Sequence, residues 1–437
     1  AGLYLLTDAV QLDDVFAALL DVSDSGAVML CAALIGLGAM AISAQILFHV
    51  WLPGAMEAPA PAAALLSAIF ALGGVFVIWR LDPLLAEARM VQDVMVWVGL
   101  ATAMVAGLAA AAQCDIKRTM GFVAASQLGL VFAVLGLGLG DGVHQKAHVQ
   151  IPLFIGVQAL LVLSVGAITR AMDDSRDMAG FGGLFAKLPI VAMAMILAAA
   201  LATVFGFAQA GMGVLMPGPG NVVFASAYLL HPGAFWALCL GAGLGIFAVW
   251  RVVFLSFMGP SRAPDDVCDA ISGCPRVMAA ALMILGVLIV AFVVWQVGRL
   301  SGLSGLAGPD WLVWSPFACA AAGFVLALWF YVLQSGLPKA LAGASGGAHG
   351  LLQDGFYLDR IYGAIIVKPC KALGGMMGGA VDGALDAPLT ALSTRLSPQV
   401  DDILTRRYGV LLLCTACVVF FGLVAAITWS ALSAGAA

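Results

Sequence analysis

Long apolar runs, separated by short stretches rich in charge, proline and glycine, dominate this chain of 437 residues. A bilayer about 30 Å thick needs roughly 18 or more consecutive apolar residues for each crossing helix. The pattern therefore predicts an all-α, polytopic transmembrane helical bundle. We place its spanning helices, about ten in number, at residues 26–52, 63–80, 92–112, 120–139, 149–170, 188–213, 232–257, 276–298, 312–334 and 408–433.

Two stretches depart from the pattern of uninterrupted runs. Pro53, Pro59 and Pro61 follow the first run, and their missing backbone donors must interrupt a helix there. Residues 355–397 carry apolar residues at helical spacing, but charges and Pro369 interrupt them too often for a crossing helix. This segment predicts an amphipathic lateral helix along the membrane or along partner subunits. Its five glycines between 374 and 383 leave a loose loop as the alternative.

These features divide the chain into four parts. A polar N-terminal segment, 1–25, precedes a transmembrane bundle at 26–334. A connecting segment with the lateral helix follows at 335–407, and residues 408–437 form a C-terminal transmembrane helix.

Composition narrows the class further. Hydrophobic residues make up 63% of the chain and charged residues only 10%, with a mean hydropathy of +1.07. A soluble domain carries about 25% charged residues, so an ordinary soluble enzyme is excluded. The net charge is −5 and no dense basic run is present, which argues against nucleic acid as a partner. The nine cysteines are scattered without the spacing of a metal or cluster site, so we expect no cofactor.

The positive residues between the runs predict an orientation. Cytoplasmic connections carry an excess of Lys and Arg. Counted with their flanks, every second connection holds more Lys and Arg than the connections between them do. These connections are 113–119, 171–187 and 258–275. We therefore expect these connections, and the segment 335–407 on the same side, to face the cytoplasm or matrix.

Several motifs resemble one family, the antiporter-like membrane subunits of respiratory complex I. They are residues 43–61 (SAQILFHVWLPGAMEAPAP), 115–118 (DIKR) with 126–129 (SQLG), 177–184 (DMAGFGGL) and 250–259 (WRVVFLSFMG). Residues 356–369 (FYLDRIYGAIIVKP) are similar to the start of the lateral helix of the distal subunit. The resemblance covers almost the whole chain from residue 26. The family's first half dozen helices are absent, which implies a truncated or split version.

The resemblance also shows what has changed. The family's three buried channel lysines correspond to Ile42, Gln158 and Leu215 here. Desolvation lowers the pKa of a buried lysine towards the working range, which makes it useful in a proton channel. Ile42 and Leu215 hold no proton and Gln158 only orients hydrogen bonds. The resemblance therefore implies a broken relay.

Four polar residues remain as candidates for a residual proton path. His49 is either a titrating group or a packing residue, and Glu57 either caps a helix or lines a hydrophilic route. Gln127 bridges helices by hydrogen bonding or takes part in transport. Arg251 anchors a helix near a membrane face or belongs to a proton or lipid pathway.

The resemblance implies a membrane-arm subunit of a proton-translocating NADH:ubiquinone oxidoreductase, without redox chemistry of its own and with a structural role or a degenerate proton channel. An alternative is a subunit of a related complex: a membrane-bound hydrogenase, a cation/proton antiporter or an inorganic-carbon uptake complex. A stand-alone transporter is disfavoured, because a lateral segment has no use without neighbours. The expected partners are other membrane-arm subunits, a separate chain supplying the missing helices, and lipids. The expected location is an inner membrane, with the mitochondrial inner membrane slightly favoured over the bacterial cytoplasmic membrane.

Overall fold

The computed structural model describes residues 2–19, 25–138, 141–209, 231–262, 273–300, 310–334 and 346–372, with a few isolated positions between them. Within these ranges every regular element is helical, and the single extended pairing is an isolated bridge between Asp115 and Asp177. The fold of this part of the chain is therefore all-α.

The described residues form fifteen α-helices, which we number in order, and two short 3-10 helices at Met178–Gly180 and Gly355–Tyr357. Short turns of π-helix interrupt α5 at Leu66–Phe70 and extend α13 at Trp329–Leu333 and α15 at Gly363–Val367. The helices are α1 Gly2–Thr7, α2 Leu12–Leu19, α3 Ser25–Ile42, α4 Trp51–Ala55, α5 Ala60–Arg80, α6 Asp82–Ala86, α7 Arg89–Ala112, α8 Ile116–Gly136, α9 Asp141–Ala171, α10 Pro189–Gln209, α11 Pro232–Phe257, α12 Arg276–Leu300, α13 Asp310–Leu328, α14 Gly347–Gln353 and α15 Leu358–Tyr362.

Six of the described helices are long and apolar enough to cross a membrane, and three shorter ones are apolar throughout. The six lie in α5, α7, α8, α9, α11 and α12, and the three in α3, α10 and α13. The predicted all-α polytopic bundle is confirmed, and the helix at 232–257 has the predicted bounds. The predicted tenth helix, 408–433, lies outside the described residues, as does the lateral segment beyond residue 372.

The predicted helix 26–52 is wrong in its second half. Helix α3 ends at Ile42, and residues 43–50 form a non-helical segment, which we call the break. Ala44 and Leu47 adopt positive φ angles of 49° and 75°, and the side chain of Gln45 donates to the carbonyl of Ser43. Short polar side chains that bond nearby backbone compete with helix formation. The sequence prediction placed the interruption only at the prolines, because Ile46, Leu47 and Phe48 continue the apolar run.

Small residues set the closest helix contacts in the bundle. Gly99 of α7 faces Gly129 of α8 so closely that a Cβ built on Gly99 would lie 2.5 Å from the Gly129 carbonyl oxygen. Gly243 of α11 and Gly323 of α13 approach in the same way, at 2.4 Å. Such approach is how helices associate in lipid, where hydrophobic burial between them supplies little.

Four connections meet at one end of the bundle, which we call the connection end. The Ile116 amide donates to the Arg176 carbonyl at 2.9 Å, and the Leu184 amide donates to the Ser256 carbonyl at 3.3 Å. The side chain of Gln113 donates to the carbonyl of Gln353. The connections after α7, α9 and α11 therefore lie together with the start of the segment 335–407, as the positive-residue pattern predicts.

The glycine contact between α7 and α8 gives a direct test. We expect Gly99→Ala to lower the free energy of unfolding by about 1–3 kcal/mol, because the new methyl group overlaps backbone atoms that cannot move away. The matched control is Gly38→Ala in α3, where nothing lies within 4 Å of the added Cβ. Thermal unfolding of the purified variants in detergent measures both. Equal midpoints for the two variants would contradict the close packing.

Candidate functional site

The break is held by hydrogen bonds to neighbouring helices. The Ile46 amide donates to Thr102 Oγ1 of α7 at 2.8 Å, and Trp51 Nε1 donates to the Ala41 carbonyl at 3.0 Å. Ser43 and Gln45 are fully buried beside it. Irregular backbone at membrane depth is tolerated only against protein or water, and here protein surrounds much of it.

His49 lies at the end of the break and is packed but not fully bonded. Its side chain is buried, its ring centroid is 6.3 Å from that of Phe122, and its Nδ1 has no hydrogen-bond partner among the described residues. The imidazole therefore keeps one nitrogen available for a proton or a water molecule.

Glu57 follows α4 and pairs with Arg176 at the connection end. It does not cap the next helix, because the residue before α5 is Pro59 and no side chain caps that end. The hydrogen bond from Arg176 holds the pKa of Glu57 below its usual range and raises the pKa of the guanidinium in turn. Glu57 is exposed and Arg176 is partly exposed, so the pair organises charge at the surface and adds little stability.

A small cavity between α4, α5, α8 and α9 lies next to this pair. It leaves about 10 Å³ open to the centre of a water molecule, roughly the space that one water needs. Lys117 is its one charged wall residue. Gln158 Nε2 lies 3.5 Å from the carbonyl oxygen of Met120, another wall residue, and Gln158 Oε1 has no partner in this part of the chain. Lys117 and Met120, whose carbonyl Gln158 contacts, therefore both line this cavity.

The three positions at which the resemblance implies a lost lysine have different surroundings. Ile42 is the last residue of α3 and packs on Gly73 of α5. Gln158 is fully buried in α9. Leu215 lies outside the described residues. Gln127 of α8 is also buried, and its Oε1 makes no hydrogen bond to any described residue.

Arg251 of α11 is buried against α7 and α13. Its Nε donates to the Tyr331 hydroxyl at 3.0 Å, its Nη1 donates to the Ala110 carbonyl at 3.2 Å, and the guanidinium lies 5.7 Å from the Tyr331 ring centroid. Ala110 is close to the end of α7 at Ala112, so Arg251 lies near the connection end. These contacts favour the anchoring interpretation of Arg251.

The four candidate path residues do not form one hydrogen-bonded chain in the described structure. The residues that the sequence reasoning missed are Lys117, Arg176, Asp359 and Tyr331. Lys117 and Asp359 stand within recognised motifs, but their partners are distant in sequence. Arg176 lies 119 positions from Glu57 and Asp359 lies 241 positions from Arg118, so spacing alone could not pair them.

Fold and site together define a polytopic α-helical membrane protein with a broken helix and a sparse set of buried polar groups. Residues 1–209 match the family model described as NADH:quinone oxidoreductase/Mrp antiporter, TM. Over these residues the match confirms the resemblance stated above.

Curated relatives match the chain in sequence, and a solved structure shares its fold. The chain is 27% identical to NADH-quinone oxidoreductase subunit L of Rhodobacter capsulatus over 464 aligned residues, which cover 85% of this chain and 65% of the relative. It is 31% identical to NADH-ubiquinone oxidoreductase chain 5 of Rhizopus stolonifer, over 58% of this chain and 38% of the relative. A chain in the structure of the Mrp complex from Dietzia sp. shares the fold with a TM-score of 0.61 at 20% identity, over 91% of this chain and 44% of that chain. The chain thus spans less than two thirds of each.

The contact between Arg251 and Tyr331 generates a prediction. Tyr331→Phe removes the hydroxyl that accepts from the buried guanidinium, so we expect a loss of about 1–3 kcal/mol in the free energy of unfolding. In an Arg251→Met background the same change should cost clearly less, because no buried charge is left without its partner. Thermal unfolding of the four proteins of this cycle measures the coupling. Equal losses in both backgrounds would contradict the anchoring role.

Proposed function

We propose that this chain is a membrane-arm subunit of a proton-translocating NADH:quinone oxidoreductase and that its own proton channel is degenerate. Subunits L and 5 of such enzymes are among its relatives. The subunit carries no redox cofactor in this proposal and works in the bacterial cytoplasmic or mitochondrial inner membrane, with other membrane-arm subunits and lipids as its partners.

The observation that carries this proposal is the chemistry at positions 42 and 158. Ile42 packs against a glycine, and Gln158 is fully buried where the family's resemblance implies an ammonium group. Neither side chain can bind and release a proton near neutral pH. A relay that depends on groups alternating between loaded and empty has no such group at these two positions.

A residual route is compatible with the same geometry. Lys117 lies on the wall of the cavity with room for about one water, next to the ion pair of Glu57 and Arg176. From there, Gln158 and Gln127 offer oxygens that lack protein partners among the described residues. Any proton that passes would depend on water between these groups, with His49 as the titrating side chain at the break.

A second candidate is a subunit of a cation/proton antiporter complex. The fold shared with the Mrp complex and the description of the matched family favour it. Co-purification of the native complex separates the two: subunits with flavin and quinone sites support the oxidoreductase, and their absence from a complex with several antiporter-like chains supports the antiporter.

The main test restores the missing charges. The triple variant Ile42→Lys, Gln158→Lys and Leu215→Lys, in a reconstituted complex, should move more protons per NADH oxidised than the unmodified complex, because each position regains a titratable group. The matched control places Met at the same three positions, which adds similar length without charge. Proton uptake or release with a pH dye, measured against NADH oxidation, gives the ratio.

One pattern of proton ratios would contradict a degenerate channel. If the unmodified chain already supports the proton ratio of the Lys variant, and His49→Ala together with Glu57→Ala lowers it, an alternative relay operates.

We also propose that another polypeptide packs beside residues 26–80. Exposed apolar side chains along α3, at Leu30, Leu34 and Leu37, offer a face for a neighbouring helix, and the break lies at its end. A photo-crosslinking residue at position 34 should give a protein adduct in the native complex, whereas one at Met283 on the exposed face of α12 serves as a comparison. Adducts with lipid alone at position 34 would contradict this arrangement.

A further inference from the structure

Helices α11 and α13 pack side by side in a fixed register. The Arg251 guanidinium of α11 donates to the Tyr331 hydroxyl in the turn that extends α13, and these two residues are 80 positions apart. Gly243 and Gly323 lie two turns earlier in their helices, with the same offset along the chain. A Cβ added to Gly323 would lie 2.4 Å from the Gly243 carbonyl oxygen. Two contacts with one offset show that the helices run in the same direction.

The same register places two cysteines opposite each other. Cys239 lies one turn before Gly243, and Cys319 lies one turn before Gly323. Cys239 is fully buried, and Cys319 is partly buried against the same apolar cluster. A Cβ added to Gly243 would lie 3.1 Å from the Cys319 carbonyl oxygen, and the two thiols form a side-chain hydrogen bond with each other. The two cysteines are therefore neighbours across a helix interface.

The backbones of α11 and α13 approach closely enough here for a covalent link. A disulfide joins Cα atoms about 4.4–6.8 Å apart, whereas the axes of packed helices are usually about 8–10 Å apart. The contact between Gly243 and Gly323 removes the side chains that normally keep helices at that distance. Because the thiols are already in contact, formation of a disulfide does not require the helices to be brought together.

The position of the pair along α11 favours the oxidised form. Helix α11 ends at Phe257, at the connection end, and Cys239 lies 18 residues earlier, about 27 Å along the axis at 1.5 Å per residue. The pair therefore lies towards the opposite end of the bundle. The positive-residue pattern predicts that the connection end faces the cytoplasm or matrix, so the cysteines are expected nearer to the other side of the membrane. In bacteria that side is the periplasm, where disulfides persist.

We propose that Cys239 and Cys319 form a reversible disulfide that staples α11 to α13. Oxidation breaks two S–H bonds, forms one S–S bond and releases two electrons and two protons. A quinone dissolved in the membrane takes up both electrons and both protons and becomes the quinol. Once linked, α13 cannot slide along α11, so the contact between Arg251 and Tyr331 is retained. This inference does not depend on whether the chain conducts protons.

Differential alkylation tests the disulfide in the full chain in lipid nanodiscs. The nanodiscs are treated with a short-chain, fully substituted quinone, which oxidises thiols without adding to them. Free thiols are then blocked with N-ethylmaleimide in denaturant, and thiols released by reduction receive a second label of different mass. Mass spectrometry should show the second label at Cys239 and Cys319 in equal amounts. Cys31, partly exposed in the apolar helix α3, is the matched control and should keep the first label.

Single substitutions test whether the two cysteines pair with each other. After the same treatment, Cys319 should take N-ethylmaleimide in Cys239→Ser, and Cys239 should take it in Cys319→Ser. Labelling of Cys239 and Cys319 by N-ethylmaleimide as complete as that of Cys31 in the unmodified chain would overturn the disulfide. A second label that persists at Cys319 in Cys239→Ser would reveal another partner and overturn the pairing.

Thermal unfolding, followed by tryptophan fluorescence, tests the staple. Oxidation should raise the midpoint of the unmodified chain by roughly 3–8 °C, because a cross-link restrains the unfolded chain. Cys239→Ser and Cys319→Ser should lose this shift, whereas Cys31→Ser should keep it. A midpoint that oxidation leaves unchanged in the unmodified chain would overturn the stapling role.

Discussion

The requirement that backbone polar groups find partners away from water governs this fold. In a helix the chain meets that requirement by itself, and the long apolar helices of the bundle are its direct result. The backbone of the break, residues 43–50, is not helical and needs hydrogen-bond partners from other parts of the chain. A continuous helix would have provided such bonds internally. Here the Ile46 amide donates to Thr102, the Trp51 indole donates to the Ala41 carbonyl, and the Tyr362 hydroxyl donates to the Leu47 carbonyl. Thr102 of α7 and Tyr362 of the segment 353–362 therefore supply partners that this short segment lacks.

Charge is distributed according to the same constraint. The ion pairs of Glu57 with Arg176 and of Arg118 with Asp359 lie at the connection end, where water reaches them. Arg251 is buried, but its guanidinium reaches a carbonyl near the end of α7 and a phenol hydroxyl. The interior holds amides and hydroxyls such as Gln127, Gln158 and Ser164, several with an unused acceptor among the described residues. Such groups accommodate water but do not carry charge.

The sequence predicted the helices well because apolar runs of bilayer length have few alternative structures in lipid. Charges and prolines placed most helix ends within a few residues, as for α11. The break was not predicted, since its apolar residues continue the run and hide the bond that the Gln45 side chain makes to the Ser43 carbonyl. The motif resemblance identified His49, Glu57 and Arg251 as polar exceptions. The partners of Glu57 and Arg251, which are Arg176 and Tyr331, are distant along the chain, and only the folded arrangement brings them together.

The hydrogen bond between Tyr362 and Leu47 has a consequence for the order in which the molecule is made. It joins positions 315 apart, so the break leaves the ribosome long before its last partner exists. During that interval the Leu47 carbonyl has no bond from Tyr362. This contact therefore belongs to the last stage of assembly, after every helix between the two residues has been made.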